Sequence, residues 1–494
     1  MRLWALSIFL GALALRLATL GAEAIWYDEA FTAAMTRLPL SDMLGAIQGD
    51  VHPPLWYLIE SGFVALLGSS PFVLRLPAAL ASSLAAVQGY ELLRGLAGDK
   101  SGRLAGILLG ILPGQLHYGQ DARMYALLTL LVLVGIRLAL AHKWLALGAI
   151  LAVMNWTHNL APAYTVLFGV WALIGGRRRA LPGLLLAAGL TLPWLAPALR
   201  QAGQVGVGFW LGGLANVGSA LYWLYFTTLF NRLPGWAAFG GFMVSAAVTM
   251  VSIYQSARHW RKLWPLALFG FGPAALLTGV SLAWRPVLLD RALLPSGAVV
   301  IGLWAAGLPL LSAPLRRVLA AFAAPTASLA LVSFFIYGLN TGSPIPAPIL
   351  ARWQEGDALY HMSLTSALIT DYYLPDHPAY ILPETGDLAQ SLSDVTKDHM
   401  GLLERQLHVP ALAQRGIVRL WVLYDDTPMT SDVEREMFAY LIGRYPVIAE
   451  WIYPESPMDT VIVALLDISN ASLPGLLPTV PRLCAGARPC LSHP

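Results

Sequence analysis

Two carboxylates, Asp28 and Glu29, stand side by side in the stretch AIWYDEAFTAA, residues 24–34. They come shortly after an apolar run, Leu3–Leu20, that is long enough to enter a bilayer. Acids beside aromatic residues at the end of a membrane helix commonly serve as interfacial anchors. The alternative is a catalytic carboxylate at the boundary of water and lipid, where partial desolvation keeps it reactive as a general base.

Two further motifs place polar residues beside apolar segments. In GDVHPPLWY, residues 49–57, the pair Pro53-Pro54 stiffens the entry to a helix and fixes where His52 points. In HYGQDARMYALL, residues 117–128, four polar groups lie together at the start of a helix: Gln120, Asp121, Arg123 and Tyr125. A plain helix start and a short solvated loop are the simpler explanations. Four such groups at one helix mouth nevertheless favour a polar binding site.

The last motif, WRPVLLDRALLP at residues 284–295, contributes Arg285 and Arg291. A guanidinium group suits a phosphate because its fork donates two parallel hydrogen bonds. A contact of Arg291 with Asp290 or with a lipid headgroup is the alternative. The motif therefore indicates a candidate phosphate site.

The composition defines the environment of these motifs. The chain has 494 residues, of which 57% are hydrophobic and only 12% charged, and its mean hydropathy is +0.62. Apolar runs of about 18 to 22 residues recur as far as roughly residue 339, and each is long enough to cross the hydrocarbon core. We predict a polytopic α-helical membrane protein. The small formal charge of +3 gives no indication of a nucleic-acid partner, and we expect none.

Basic residues set the predicted orientation, because Lys and Arg concentrate in cytoplasmic loops. If all the basic clusters are cytoplasmic, the chain has about eleven spanning helices with its N-terminus inside. This alternation requires the Pro-initiated segment 53–68 to lie in the interface as a juxtamembrane helix. It gathers the unusual polar residues at the extracytoplasmic face: Asp28, Glu29, His52, Asp121, Arg123, His158, Asp290 and Arg291. The sequence AEA, residues 22–24, resembles a signal-peptidase site, but the long first run and its Arg16 favour a retained helix.

The composition changes after residue 340, where a Gly/Pro/Ser linker leads into a segment with charges throughout. Helical spacing is typical of HMSLTSALITDYYL and SDVEREMFAYLIGRY, whereas PAYILP, VRLWVLYDD and DTVIVALLD are typical of buried strands. We predict an extracytoplasmic α/β domain over 341–494, after a membrane module over 1–340 that includes an external loop at 21–70. Cys484 and Cys490 are expected to form a disulfide there.

The order of the motifs is more specific than any one of them. An acidic pair after the first helix, His-Pro-Pro-Leu, an Arg-Met-Tyr-Ala helix start, an Asp-Arg-x-x-x-Pro loop and a terminal soluble domain follow one another. This order resembles the GT-C-type integral-membrane glycosyltransferases. Within them, the chain is similar to the bacterial relatives of the protein O-mannosyltransferases and of the lipid A aminoarabinose transferases. The resemblance covers about residues 1–340.

The resemblance implies a sugar donor carried on a polyprenyl phosphate and inverting transfer to a hydroxyl of a glycolipid, polysaccharide or protein in the cell envelope. It implies that Asp28 is the general base with Glu29 beside it, and that Arg291 contacts the phosphate. Arg123 or Arg285 is the candidate for a second phosphate contact. His52, Asp121 and Arg123 match motifs that contact acceptor or donor. Further candidates for such contacts are Tyr27, Gln120, Tyr125 and His158. The implied location is the bacterial inner membrane, with the site facing outward.

Two questions remain open at the level of sequence. No cofactor or metal is expected, because one phosphate can be neutralised by arginine, although Asp28, Glu29 and Asp121 together could bind Mg²⁺ or Mn²⁺. The alternative function is a transporter or flippase for a lipid-linked saccharide, which Pro-interrupted helices and a polar mouth would also suit. A non-catalytic assembly factor would leave the acidic pair unexplained.

Overall fold

The computed structural model describes residues 2–175, 177–208, 218, 235–257, 259–284, 287–338, 346–383, 392–426, 432–454 and 460–471. Arg285 and the predicted Cys484–Cys490 disulfide lie outside these residues. Contacts divide the chain into two compact units. The membrane unit comprises Met1–Glu23 and Val51–Asn340, and the sheet unit comprises Ala24–Asp50 and Thr341–Pro494.

Helices make up most of the described chain. In chain order they are α1 (Arg2–Leu17), α2 (Tyr27–Arg37), α3 (Leu40–Gly49), α4 (Leu55–Leu67), α5 (Pro71–Ala97), α6 (Asp99–Ile111), α7 (Pro113–Tyr118), α8 (Tyr125–Leu140), α9 (Trp144–Thr157), α10 (Pro162–Ile174), α11 (Leu181–Gly208), α12 (Gly235–Ala257), α13 (Trp260–Ala283), α14 (Leu294–Gly307), α15 (Ala313–Gly338), α16 (Pro346–Arg352), α17 (Leu364–Tyr373), α18 (Asp394–His399), α19 (Val409–Gln414) and α20 (Asp432–Arg444). Short 3₁₀ turns are Arg178–Ala180, Arg291–Leu293, Leu308–Leu310 and Leu403–Arg405.

The membrane unit is built from apolar helices. Within the described residues, the segments long and apolar enough to cross a bilayer are Pro71–Ala97, Arg178–Gly203, Arg261–Ala283, Arg291–Leu310 and Ala313–Ile336. Shorter apolar helices include Leu3–Leu17 and Leu55–Leu67, the latter covering the predicted juxtamembrane segment. The chain therefore has the character of a multi-pass membrane protein. Its number of crossings and the interfacial position of Leu55–Leu67 stay predictions.

Glycines allow the membrane helices to approach closely. A Cβ added at Gly89 of α5 would collide with the Leu109 side chain of α6. A Cβ at Gly148 of α9 would collide with the carbonyl oxygen of Gly183 in α11. Contact through small residues is the usual way in which membrane helices pack, because apolar burial gives little driving force in lipid. In the interior of this bundle lies α14, which is buried along its whole length.

The sequence predicts one spanning helix over the apolar segment 104–118. The structure has two helices there instead, separated by a break. α6 ends at Ile111 and α7 begins at Pro113, because proline has no N–H to donate to the carbonyl of Leu109. The buried Arg16 of α1 supplies the missing donors. Its guanidinium donates to the carbonyls of Leu109 at 3.3 Å, Gly110 at 3.1 Å and Gln115 at 3.3 Å. The break gives the chain a turn just before the polar residues at 120–125.

The sheet unit contains a mixed five-stranded sheet. Its strands are β1 (Asp357–His361), β2 (Ala379–Ile381), β3 (Arg419–Asp426), β4 (Val447–Pro454) and β5 (Thr460–Asp467), in the order β2-β1-β3-β5-β4. β1 is parallel to β2 and β3, whereas β5 is antiparallel to β3 and β4. Separate apolar clusters, one around Val422 and one around Trp421, cover its two faces. The predicted strands and helices of this domain are found, and β1 and β4 are additional.

The segment Ala24–Asp50 belongs to the sheet unit, which differs from its predicted place in the membrane module. Arg37 of α2 donates to the carbonyls of Asp371 and Tyr372 in α17, at 3.1 and 3.4 Å. α3 lies against α18, where the Thr396 hydroxyl donates to the carbonyl of Ala46 at 2.9 Å. Gly49 permits this approach, because a Cβ there would lie 2.5 Å from the Ser393 hydroxyl. These contacts tie the segment to residues more than 300 positions away in the chain.

Candidate functional site

Five polar or aromatic side chains from four separate loops meet in the membrane unit. We call them the cationic cluster: His52, Arg123, Tyr125, His158 and Arg291. Each lies at a helix end. His52 precedes the Pro-Pro start of α4, Arg123 and Tyr125 flank the start of α8, His158 caps the end of α9, and Arg291 opens the turn before α14. Helix ends are suited to such a cluster because their side chains reach beyond the apolar body of the bundle.

Arg123 is buried within the cluster, with only 2% of its surface exposed. Its Nη2 lies 3.0 Å from His52 Nε2, and its Nη1 donates to the Tyr57 hydroxyl at 3.4 Å. Guanidinium can only donate, so His52 Nε2 must accept and its ring is neutral with the proton on Nδ1. Arg123 is thus held in place by two side chains from the region that contains His-Pro-Pro.

His158 is buried and lies next to two other rings of the cluster. Ring centroids are 5.8 Å apart for His52 and 5.6 Å for Tyr125. His158 Nδ1 accepts from the Leu160 N–H at 3.0 Å, which places the proton of the neutral ring on Nε2. That Nε2 has no hydrogen-bond acceptor among the described residues. Burial, followed by the nearby positive charges of Arg123 and Arg291, lowers the pKa of His158 well below its usual value.

Arg291 completes the cluster from a distant part of the sequence. Its guanidinium carbon lies 5.8 Å from the centroid of the Tyr125 ring, within the range of a cation–π contact. Asp290 accepts a hydrogen bond from the Arg291 N–H at 2.7 Å and so caps the turn. Two guanidinium groups, one buried and one half-buried, and a neutral imidazole donor therefore share one region, which favours an anionic ligand.

Amide side chains that the sequence did not single out support this region. Asn159 donates to the Val51 carbonyl at 2.8 Å and to Gln201 Oε1 at 2.7 Å. Gln201 in turn donates to the His52 carbonyl at 3.4 Å. The loop before α4 is thereby linked to α11. A possible sequence signal is the Asn that directly follows His158, since neighbouring polar residues at an otherwise apolar helix end are unusual.

Other predicted residues of the membrane unit lie nearby in sequence but have different contacts. Gln120 donates to the Arg16 carbonyl at 2.6 Å and to the Thr19 hydroxyl at 2.8 Å, which are contacts of a structural kind. Asp121 is buried, and its carbonyl accepts from the Arg123 N–H at 2.6 Å. Their predicted roles in binding stay predictions.

The acidic pair is found in the sheet unit, in the first turn of α2 together with Tyr27. Asp28 is partly exposed, whereas Glu29 is 1% exposed. Carboxylates at a helix N-terminus are stabilised by the helix dipole, which is a structural reason for two acids here. The difference in exposure favours Asp28 as the carboxylate that a substrate can reach. Among the described residues no three His, Cys, Asp or Glu side chains are grouped as metal ligands would be.

The sequence was compared with protein families and with curated proteins. Residues 51–200 match the family model described as dolichyl-phosphate-mannose-protein mannosyltransferase. No curated protein sequence matches the chain.

Solved structures give matches along nearly the whole chain. ArnT from Cupriavidus metallidurans in the apo state superposes with a TM-score of 0.60 and 14% identity, covering 96% of this chain and 99% of that one. ArnT from the same organism bound to undecaprenyl phosphate gives 0.53 and 14% over the same shares of the two chains. The archaeal oligosaccharyltransferase AglB from Archaeoglobus fulgidus, in complex with an inhibitory peptide and a dolichol-phosphate, gives 0.49 and 12% over 95% of this chain and 75% of that one. The chain thus has an ArnT-like fold, and the resemblance to GT-C glycosyltransferases that its motif order predicts is confirmed.

Proposed function

We propose that this protein transfers a sugar from a polyprenyl-phosphate donor to a hydroxyl group at the extracytoplasmic face of the membrane, with inversion at the anomeric carbon. The acceptor is a glycolipid, a polysaccharide or a protein of the envelope. The observation that carries the proposal is the cationic cluster, in which the buried Arg123 and the half-buried Arg291, from distant loops, lie in one region of an otherwise apolar bundle.

The cluster has the properties that a lipid-linked phosphate requires. Arginine binds phosphate through paired donors, and a buried site strengthens that interaction because water competes less. The His158 Nε2–H offers one more donor. The long apolar chain of a polyprenyl carrier stays in the bilayer, so its phosphate can be met only by a site at the membrane.

The proposed reaction needs positioning, a base and charge stabilisation. The acceptor oxygen attacks the anomeric carbon as the bond from that carbon to the phosphate oxygen breaks, and the bonding pair leaves with the phosphate. Arg291, with Arg123, stabilises the charge that develops on the leaving phosphate. Asp28 takes the proton of the acceptor hydroxyl. This role rests on its place in the motif order and on its partial exposure.

The similar proteins support the same chemistry. The matching family model is named for a mannosyltransferase that uses dolichyl phosphate mannose, and ArnT has been crystallised with undecaprenyl phosphate. Both names point to polyprenyl phosphates, which agrees with a basic site at the edge of an apolar bundle.

Mass spectrometry of envelope glycolipids and glycoproteins from cells with and without the gene would identify the modified acceptor. In cells without the gene, we expect one sugar to be missing from the acceptor and the polyprenyl phosphate that carries this sugar to accumulate. The purified protein in detergent micelles should then transfer that sugar from donor to acceptor. A flippase would give no transfer in micelles, where there are no compartments to connect, and that result would reject the enzyme.

A further inference from the structure

A cavity of about 570 Å³ lies in the membrane unit, away from the cationic cluster. It is enclosed by α6, α12, the end of α14 with its following turn, and α15. The floor on α15 is a row of small residues: Ala320, Ala323, Ala324 and Ala327. Leucines of α6 and the Trp304 ring form much of the remaining wall, so the interior is almost entirely apolar.

Two cations stand at one end of this cavity. Lys100 is the second residue of α6 and Arg316 lies in the first turn of α15, and both line the cavity. Both side chains are exposed, and neither forms a hydrogen bond or an ion pair with any residue in the described ranges. The cationic end and the apolar interior are complementary to the headgroup and the hydrocarbon chain of an anionic amphiphile.

The cavity is long enough to span one leaflet of a bilayer. Its lining runs from Lys100 to Ile111 on α6 and from Arg316 to Leu331 on α15. At 1.5 Å per residue these stretches measure roughly 16 and 22 Å. Half of a ~30 Å hydrocarbon core is about 15 Å. An acyl chain of one leaflet therefore fits along the groove when its headgroup lies at the two cations.

We propose that this cavity is a binding site for an anionic glycerophospholipid, whose phosphate contacts Lys100 and Arg316 and whose acyl chain lies along the α15 alanines. Lys100 belongs to the basic cluster of Arg94, Lys100 and Arg103, and Arg316 belongs to the pair Arg316-Arg317. The predicted orientation assigns both clusters to the cytoplasmic face, where anionic phospholipids are held by basic pockets between membrane helices. The site is separate from the proposed transfer reaction and does not depend on it.

Native mass spectrometry of the full-length protein tests the proposal. The protein is stripped of lipid in detergent and titrated with phosphatidylglycerol or, in parallel, with zwitterionic phosphatidylcholine. We expect one phosphatidylglycerol to be retained in preference to phosphatidylcholine. Arg316→Gln should weaken this binding roughly fivefold, since one basic side chain near an anionic headgroup contributes about that much. Ala323→Leu should also weaken it by filling the groove.

Matched variants distinguish a site from general affinity for lipid. Arg317→Gln removes the neighbouring charge, and Ala321→Leu enlarges an exposed residue of the same helix; neither residue lines the cavity. Both should bind phosphatidylglycerol as the parent does. Equal binding of the two lipids, or equal losses in Arg316→Gln and Arg317→Gln, would overturn the proposal. Displacement of phosphatidylglycerol by an equimolar polyprenyl phosphate would also overturn it, because the groove would then hold the carrier lipid.

Discussion

Replacing Arg291 tests the proposed phosphate site most directly. Arg291→Ala removes both the charge and the paired donors of the guanidinium. Hydrogen bonds to charged groups contribute about 1.5–3 kcal/mol each, so we take a loss of about 3 kcal/mol for the bidentate contact. At 1.36 kcal/mol per factor of ten, kcat/KM should fall roughly 150-fold. Both kcat and donor affinity should decline, because the contact exists in the bound donor and strengthens as the phosphate leaves.

Conservative changes divide this effect into parts. Arg291→Lys keeps the charge without the fork and should recover about half of the free energy, which leaves kcat/KM roughly tenfold below the parent. Tyr125→Leu removes the ring beneath Arg291 and should cost roughly fivefold, as expected for a cation–π contact of about 1 kcal/mol. In the Arg291→Ala background the same change at Tyr125 should have almost no effect, because the residue acts through Arg291.

The assay follows release of polyprenyl phosphate from the donor that mass spectrometry identifies, with purified protein in detergent at varied donor concentration. Thermal unfolding of each variant confirms that the fold is retained, and Arg317→Ala in a different basic cluster serves as the control. If Arg291→Ala keeps kcat/KM within threefold of the parent, the phosphate is not bound at Arg291. If the losses from Arg291→Ala and Tyr125→Leu add fully, Tyr125 acts independently and our account of its role is wrong.

Asp28→Asn should lower kcat about 10²- to 10⁴-fold with donor affinity near normal, because it cannot accept a proton; a larger loss for Glu29→Gln would show that the wrong carboxylate was chosen. EDTA should leave transfer unchanged, and loss of activity restored by one divalent ion would refute metal-free chemistry. Arg419→Ala should destabilise the sheet unit by about 3 kcal/mol, since it leaves the buried Asp357 carboxylate without its bidentate partner; hydrogen exchange across β1 and β3 would measure this. Burial alone would raise the pKa of Asp357, but hydrogen bonds from Arg419, the Trp421 indole and the Gln354 N–H outweigh it and lower the pKa. The stabilisation of the folded sheet unit by the Asp357 carboxylate should therefore be present above about pH 4 and be lost as pH falls through the lowered pKa. Protease added to intact spheroplasts should cut within 341–494, and protection until lysis would overturn the orientation.

Local pattern was sufficient to predict most individual elements but not their breaks. β3 and β5 were predicted because each is a continuous run of apolar and β-branched residues bounded by Asp. β4 was missed because its sequence, VIAEWIYP, contains Glu450 and Pro454 and is not a continuous apolar run. β4 lies at the edge of the sheet, where a strand tolerates such residues. The break at Leu112 was missed because a proline inside an apolar run can also be accommodated within a continuous membrane helix. The donor that stabilises the break, Arg16, comes from another helix, and local sequence does not show that contact.

The sequence singled out members of the cationic cluster where a residue is unusual for its surroundings, and it missed neighbouring residues whose contacts are long-range. Arg123 and His158 are polar residues at the ends of apolar helices, so their types alone singled them out. Asn159 and Gln201 are ordinary polar residues whose importance appears only when the fold brings α11 beside the loop before α4. The grouping of α2 with the sheet unit depends on contacts between residues more than 300 positions apart, such as that of Arg37 with Asp371, and no local pattern carries that information.

The arrangement around Arg16 has a consequence for how the protein is made. Apart from the Ala12 carbonyl in its own helix, the acceptors of its guanidinium lie 93 to 99 residues further along the chain. At a synthesis rate of about 5–20 residues per second, those acceptors arrive roughly 5–20 s after Arg16 itself. An arginine at the centre of a membrane helix costs about 2.5–3.5 kcal/mol to insert, and less towards the helix end. Until α6 and α7 are made, the Ala12 carbonyl is the one of these acceptors already present, so the other three hydrogen bonds of Arg16 form only as the helices assemble.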